Sequence, residues 1–346
     1  MKKCALNRLG IDVAPIVVGT GGFGNLYQSH PFEKKMEVLK EWLEHLPKPI
    51  VIDTAGKYGA GLSLEVIGDA LRALNASPDD VIVSNKLAWK RVPLTTPEAT
   101  FEPGAWVDIE HDAVQNISYD GILECREQGD QILGEGFNTQ MGSVHDPDEY
   151  LAAATSQEDR GRRFDDILGA YKALGELKAD GKILGIGVGA KDWKVIREIC
   201  EHVDLDWVMF ANSFTIHRHP KDLLDFFQQL QQKNVWMINS AVFHGGFLLG
   251  GGFYDYVEMK PENSEDAKKF EWRDQLNAIC ERFSIKPISA CTQFAFSPPE
   301  ITSFAMATTN PSRVASNVSL IQEEIPSDFW KAVKTEGLID ADYPYV

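Results

Sequence analysis

Four side chains in the first half of this 346-residue chain could together move a proton at a carbonyl or alcohol oxygen. Asp53 and Tyr58 stand five residues apart in VIDTAGKYGAG, Lys86 closes VIVSNKL, and His145 sits in SVHDPDEY. A phenol with its ordinary pKa of ~10 is a poor proton donor or acceptor at neutral pH. An adjacent ammonium would lower that value, and a carboxylate behind the ammonium would hold it charged and oriented. The histidine could donate a hydrogen bond to the same substrate oxygen, or orient the substrate. An Asp-Tyr pair taken alone reads as a hydrogen-bonded loop staple, so the chemistry depends on all four groups meeting.

What could make them meet is a set of short apolar strands, each ending near one of these residues. The β-rich runs are APIVVGTG, PIVIDTA, VIVSNKL, NTQMGSVHD, ILGIGVGA, DWVMFANSF, VWMINSAVF and ITSFAMATT. Between them lie helical periods at 32–46, 62–74, 119–133, 164–181, WKVIREICEHV and PKDLLDFFQQLQQKN, then a region at 265–297 broken at Pro287. A closing helix, PSRVASNVSLIQ, follows the last strand, and Gly181 reads as a C-cap. Segment 88–116 has no clear period and reads as an inserted loop, and a second polar insert follows the fourth strand. Eight strand-helix alternations with buried parallel strands close into a (β/α)8 TIM barrel with long loops after strands three and four. An open doubly wound sheet competes, but the glycines of GTGGFG lie about ten residues before the first helix, which is wrong for a dinucleotide fingerprint. The whole chain, 1–346, reads as one such domain.

Composition bounds the partners. A formal charge of −17 with no basic stripe argues against nucleic acid, and 25% charged residues is ordinary for a folded chain. Cys4, Cys125, Cys200, Cys280 and Cys291 are scattered, odd in number and free of C-x-x-C, as expected of reduced thiols in the cytoplasm. No signal-peptide pattern and no run of about 18 apolar residues is present, so no membrane association is expected.

The strand-two segment IDTAGKYGAGLSLEVIGDAL, with VSNKL, VHDPDEY, ELKADGKILGIGVGAKDW and TTNPSRVASNV in that order, resembles the aldo-keto reductases from Gly19 to about Ile321. The insert before SYDGILE and the form VHDPDEY resemble most the aldose (D-threo-aldose, L-galactose, L-fucose type) dehydrogenases, which oxidise a sugar's hemiacetal carbon to a lactone. The resemblance implies Tyr58 as general acid and base, Lys86 tuning it, Asp53 supporting Lys86, and His145 positioning the oxygen. It implies NAD or NADP as cofactor, exchanging hydride at nicotinamide C4.

For the coenzyme, the resemblance implies that Thr308, Thr309, Asn310, Arg313 and Asn317 grip the adenosine phosphate and adenine, beside a helix N-terminus. Asn212 stands where a glutamine usually bonds the nicotinamide amide, and Ser240 begins the loop, with Phe243 and Gly245, that wraps the pyrophosphate. Gly21 and Gly22 would give a close backbone approach, and Phe23 and Trp89 would meet the substrate with His145. Trp89 and Trp106 could line a sugar pocket or pin the insert. The chain departs from the family at Gly189 and Ala190, in place of Ser-Asn, for which Lys191 and Asp192 could substitute. It departs again at Ala307, where a phosphate-binding lysine often stands, and lacks the aromatic that stacks on the nicotinamide, unless Phe243 serves.

Three other readings remain at this level: a general aldehyde reductase, an NAD(P)-binding regulatory subunit with little turnover, and a metal-dependent barrel hydrolase. The last draws on His217 and His219 in IHRHP, which read better as a solvated loop, so no metal is expected.

Overall fold

The computed structural model describes residues 1–346. Eight parallel strands form a closed barrel: β1 Ile16–Gly19, β2 Ile50–Ala55, β3 Val81–Leu87, β4 Met141–His145, β5 Gly185–Ala190, β6 Trp207–Ala211, β7 Trp236–Ser240 and β8 Ser303–Met306. Each pairs with its neighbours in chain order, and β8 returns to β1. The helices that clothe it are α1 Phe32–His45, α2 Leu62–Ala73, α3 Tyr119–Leu133, α4 Pro147–Ala152, α5 Gln157–Ala179 and α6 Trp193–Cys200. They continue with α7 Lys221–Gln232, α8 Ser264–Phe283, α9 Pro287–Ala295, α10 Val314–Leu320 and α11 Ser327–Thr335. No helix is long and apolar enough to cross a membrane, and all five cysteines are free.

Alternation along the strands separates two cores. Outward residues such as Ile16, Val18, Ile52, Val83 and Phe304 pack under the helices. Inward residues Val17, Val51, Ile82, Met141, Trp207, Met209, Trp236 and Ile238 fill the barrel floor. The same period sends Asp53, Lys86 and His145 inward at the C-terminal ends of β2, β3 and β4, above that floor. Strand β5 makes the room: a Cβ at Gly187 would lie 2.2 Å from the Trp207 ring, and one at Gly189 would lie 2.9 Å from Lys86 Cδ. Gly189, a departure when compared with the resembled family, leaves that space to the Lys86 stem.

Several elements differ from the sequence reading. An N-terminal hairpin, Cys4–Leu6 against Ile11–Val13, adds Leu6 and Val13 to the floor and was not expected. The insert at 88–116 is not irregular: Trp89–Pro93 and His111–Gln115 pair as an antiparallel hairpin. Its flanks alternate too weakly in polarity to signal strands. Helix α5 begins at Gln157, before the expected 164, with Ser156 capping through its oxygen to the Asp159 N–H. Those first two turns hold no apolar side chain, so they carry no apolar period. A last helix, α11, buries Phe329, Trp330 and Val333.

Candidate active site

The structure brings Asp53, Tyr58, Lys86 and His145 together at the C-terminal mouth. The Lys86 ammonium donates to Asp53 Oδ2, and both side chains are almost fully buried. The same ammonium lies 4.7 Å from the centroid of the Tyr58 ring, and the His145 ring meets Tyr58 edge-on at 5.7 Å. Tyr58 follows β2 in a loop whose backbone is clamped by the loop after β1. A Cβ on Gly24 would lie 2.6 Å from the Tyr58 carbonyl carbon, and one on Gly59, at φ +61°, would lie 2.4 Å from Gly24 O. The glycines of GTGGFG thus allow close approach to the Tyr58–Gly59 peptide, at Gly24, a contact that the sequence reading did not identify.

Charge at the mouth differs from expectation. Burial pushes the Tyr58 phenol well above its ordinary value, and the carboxylates of Asp53, Asp146 and Glu102 push the same way. The cation that opposes them is Lys57, the residue immediately before Tyr58. Lys86, bonded to Asp53, is not among the largest influences on the phenol. Burial alone would discharge Lys57, but Asp146, Glu102 and Glu149 surround its ammonium at 2.7, 2.8 and 3.0 Å and hold it charged. Its ammonium also lies 4.6 Å from the Trp89 ring centroid. Burial holds His145 well below the usual imidazole range, so it is neutral at pH 7 and offers one N–H.

Asp146 lies 3.6 Å from His145 Nε2, tying the lysine cage to the imidazole. Burial works against its charge, but the Lys57 and Lys191 ammoniums and the Lys57 hydrogen bond outweigh it and hold the carboxyl far below the usual range. A folded-state pKa below the unfolded value of ~3.9 stabilises the fold above that pH and is lost as the pH falls through the folded value. Asp146→Asn is therefore expected to lose on the order of 2 kcal/mol at pH 7 and to show a shallower stability loss below pH 4. Urea unfolding of both proteins across pH 3–7 checks this, and parallel curves would exclude it.

The insert hairpin and the loops after β5 and β7 complete the rim. Trp106 stacks on Tyr58 with centroids 5.8 Å apart and donates its indole N–H to Glu102 at 2.9 Å. Lys191 reaches Glu149 at 2.5 Å and lies 4.6 Å from the Tyr256 ring centroid. Its backbone N–H, with that of Asp192, donates to Asp148 Oδ2 at 3.0 and 2.8 Å, which fixes the loop after β5. Sequence reasoning missed Lys57, Glu102, Asp146 and Glu149, although Lys57 and Asp146 each adjoin a residue it chose.

Other expected contacts need correction. Trp106, not Trp89, meets Tyr58; Trp89 stands behind it, against Lys57 and Phe101. Phe23 is 2% exposed and belongs to the outer apolar layer with Val38 and Leu39, so it is turned away from a substrate. Phe243 meets Phe304 edge-on at 6.0 Å, on the outward face of β8, so it packs against the outer apolar layer. His217 and His219 are half-buried rather than free in a solvated loop: the first bonds the Tyr254 hydroxyl at 2.9 Å, and the second accepts from the Asp340 N–H at 3.2 Å. No group of three or more His, Cys, Asp or Glu side chains converges as a metal cage.

The residues proposed for a coenzyme lie along the mouth between β6 and β1. Asn212, 3% exposed, leaves its Oδ1 without a partner at the end of β6. A buried acceptor left so costs about 1–3 kcal/mol unless a ligand donates to it, as a carboxamide NH₂ would. Ser240 donates to the Phe210 carbonyl at 3.1 Å, and a Cβ on Gly245 would lie 3.5 Å from the Tyr27 hydroxyl. After β8, Thr308 Oγ1 accepts from the Asn310 N–H at 3.1 Å, and Asn310 Oδ1 caps the next turn through the Ser312 N–H. Arg313 is exposed with no ion-pair partner, and Asn317 is buried on α10. Gly22 admits Thr309: a Cβ there would lie 2.6 Å from Thr309 Cγ2. Gly21 stands in the same 3-10 turn. These residues fit a dinucleotide laid across the mouth.

A family model described as the Aldo/keto reductase family matches residues 15–335. Among curated proteins, pyridoxal 4-dehydrogenase of Microbacterium luteolum is 25% identical, covering 98% of each chain. D-threo-aldose 1-dehydrogenase of a Pseudomonas species is 22% identical, over 95% of this chain and 96% of the relative. L-galactose dehydrogenase of Arabidopsis thaliana is 21% identical, over 92% and 88%. Among solved structures, a glycerol dehydrogenase of Gluconobacter oxydans superposes with a TM-score of 0.68 at 16% identity, over 96% of this chain and 94% of that one. That likeness is one of fold.

Proposed function

The chain belongs to the aldo/keto reductase family and is an NAD(P)-dependent oxidoreductase, and we propose that it oxidises the hemiacetal carbon of a cyclic aldose, or of a similar lactol, to a lactone. The observation that carries this reading is the rim around Tyr58. It is built of Glu102, Glu149 and Lys191 with the rings of Trp106 and Tyr256, where an apolar aldehyde would call for an apolar sleeve. Alternating donors and acceptors beside an aromatic face suit a hydroxyl-rich ring.

The names of the relatives support the same class. A threo-aldose, galactose and pyridoxal differ widely, yet each closes in water to a ring whose hemiacetal carbon carries both a hydroxyl and a hydrogen. In this reading Tyr58 takes the hydroxyl proton, neutral His145 donates its N–H to the same oxygen, and Asp53 holds Lys86 against the phenol. The bound nicotinamide supplies hydride chemistry. Asn212 would hold its carboxamide, Ser240 and Gly245 its pyrophosphate side, and Thr308, Thr309, Asn310, Arg313 and Asn317 its adenosine end. With Arg313 as the one cation in that last segment, both NAD and NADP are expected to be accepted, with a preference below ~100-fold.

Coenzyme absorbance with free aldoses, pyridoxal and open-chain aldehydes tests the reading. Cyclic hemiacetals are expected to reduce either coenzyme and yield lactone faster than simple aldehydes are reduced. Brisk aldehyde reduction with no hemiacetal oxidation would exclude it.

A further inference from the structure

Lys57 stands next to Tyr58 in the chain, yet its buried ammonium has no part in the proton transfer assigned to the phenol. What it holds is three carboxylates, and each turns its second oxygen to a different residue of the mouth. Glu102 accepts from Lys57 on Oε1 at 2.8 Å and from the Trp106 indole N–H on Oε2 at 2.9 Å. Asp146 accepts from Lys57 on Oδ2 at 2.7 Å, and its Oδ1 lies 3.6 Å from His145 Nε2. Glu149 accepts from Lys57 on Oε2 at 3.0 Å and from Lys191 on Oε1 at 2.5 Å. Two of these paths return to their start, because Trp106 and His145 are the rings that meet the Tyr58 ring, at 5.8 and 5.7 Å. Glu102 and Asp146 are also held at φ +44° and +52°, a left-handed region that a residue with a side chain enters only at a cost. Such strain persists where the surroundings fix it, and it gathers at working sites. A buried ion cluster is weak evidence for stability, so the placement of what it touches is the better account of it.

We propose that Lys57 is a positioning residue for the reaction at Tyr58, setting Trp106 through Glu102 and His145 through Asp146. The inference rests on the reading of Tyr58 and His145 given above and adds to it a residue that acts only through others. The two arms have separate tasks. In that reading Trp106 is an aromatic face that a sugar ring meets at the rim, so the Glu102 arm governs how well substrate is held. His145 donates to the reacting oxygen, so the Asp146 arm governs the chemical step.

The test is Glu102→Gln, Asp146→Asn and Lys57→Met, each assayed well below its unfolding temperature with the aldose that the wild type oxidises fastest. Glu102→Gln is expected to raise KM about 3- to 10-fold with kcat within about twofold, because the amide keeps Lys57 and loses the indole N–H. Asp146→Asn is expected to lower kcat about 10- to 100-fold with KM within about threefold. Lys57→Met is expected to show both losses, and adding Asp146→Asn to it should lower kcat little further. A folded Lys57→Met protein with wild-type kcat and KM would overturn the proposal. So would an unsplit fall in kcat/KM, alike in both arm variants, because a general loosening of the fold gives no such division. Should Lys57→Met fail to fold, the two arm variants decide: the split supports the proposal, and wild-type kinetics in both overturns it. A Tyr58→Phe protein that kept its turnover would instead remove the reading of the phenol itself.

Discussion

Tyr58→Phe is expected to lower turnover by about 10²–10⁴-fold while the coenzyme Kd stays within about twofold. The substitution removes one oxygen and leaves the ring that packs between Trp106, His145 and the Lys86 ammonium. The fold around it is therefore preserved, and the loss belongs to proton transfer. Burial and three carboxylates raise the phenol, so at neutral pH it is a protonated acid and only a small fraction is the base that oxidation needs. Oxidation by the wild type should accordingly climb as pH rises above neutrality, and reduction should not. In Tyr58→Phe that climb should vanish. A variant retaining more than about a tenth of wild-type turnover would count against the phenol as the proton carrier.

Lys86→Met should cost both activity and stability, the latter by about 3–5 kcal/mol at neutral pH. Asp53 is 3% exposed, its Oδ1 has no partner, and its Oδ2 is bonded by Lys86. Removing the ammonium strands a buried carboxylate whose pKa burial already pushes up. A carboxyl with a folded pKa raised above the unfolded one favours the folded state at low pH and loses that advantage as pH rises. The deficit of Lys86→Met against wild type should thus be smaller near pH 5 than near pH 8. Adding Asp53→Leu should recover much of the stability and none of the activity. A deficit independent of pH would show that Asp53 and Lys86 are not an electrostatic pair.

The barrel and its four central groups were legible because both follow from local pattern. Buried parallel strands are short, apolar and β-branched, and their period of two decides which residues point inward at each strand end. Asp53, Lys86 and His145 could be placed by that rule alone, and Tyr58 by its distance from Asp53. Lys57 was not legible, although it adjoins Tyr58. Its role depends on Glu102 from the insert after β3 and on Asp146 and Glu149 from the segment after β4, two stretches whose meeting no local pattern encodes. Phe23 was misread for a related reason: an aromatic in a glycine-rich loop could face either the mouth or the helices, and only the docking of that loop on Tyr58–Gly59 decides it.

Hydride transfer from the hemiacetal carbon is the claim on which the rest depends, and it can be followed atom by atom. An aldose carrying deuterium at C1 is oxidised with NAD⁺ or NADP⁺, whichever the protein turns over, and the reduced coenzyme and the sugar product are weighed by mass spectrometry. The account predicts one deuterium on each reduced coenzyme, none on the product, and a product with the mass of the lactone or its hydrolysed acid. Unlabelled reduced coenzyme, or a product that keeps its C1 deuterium, would contradict it.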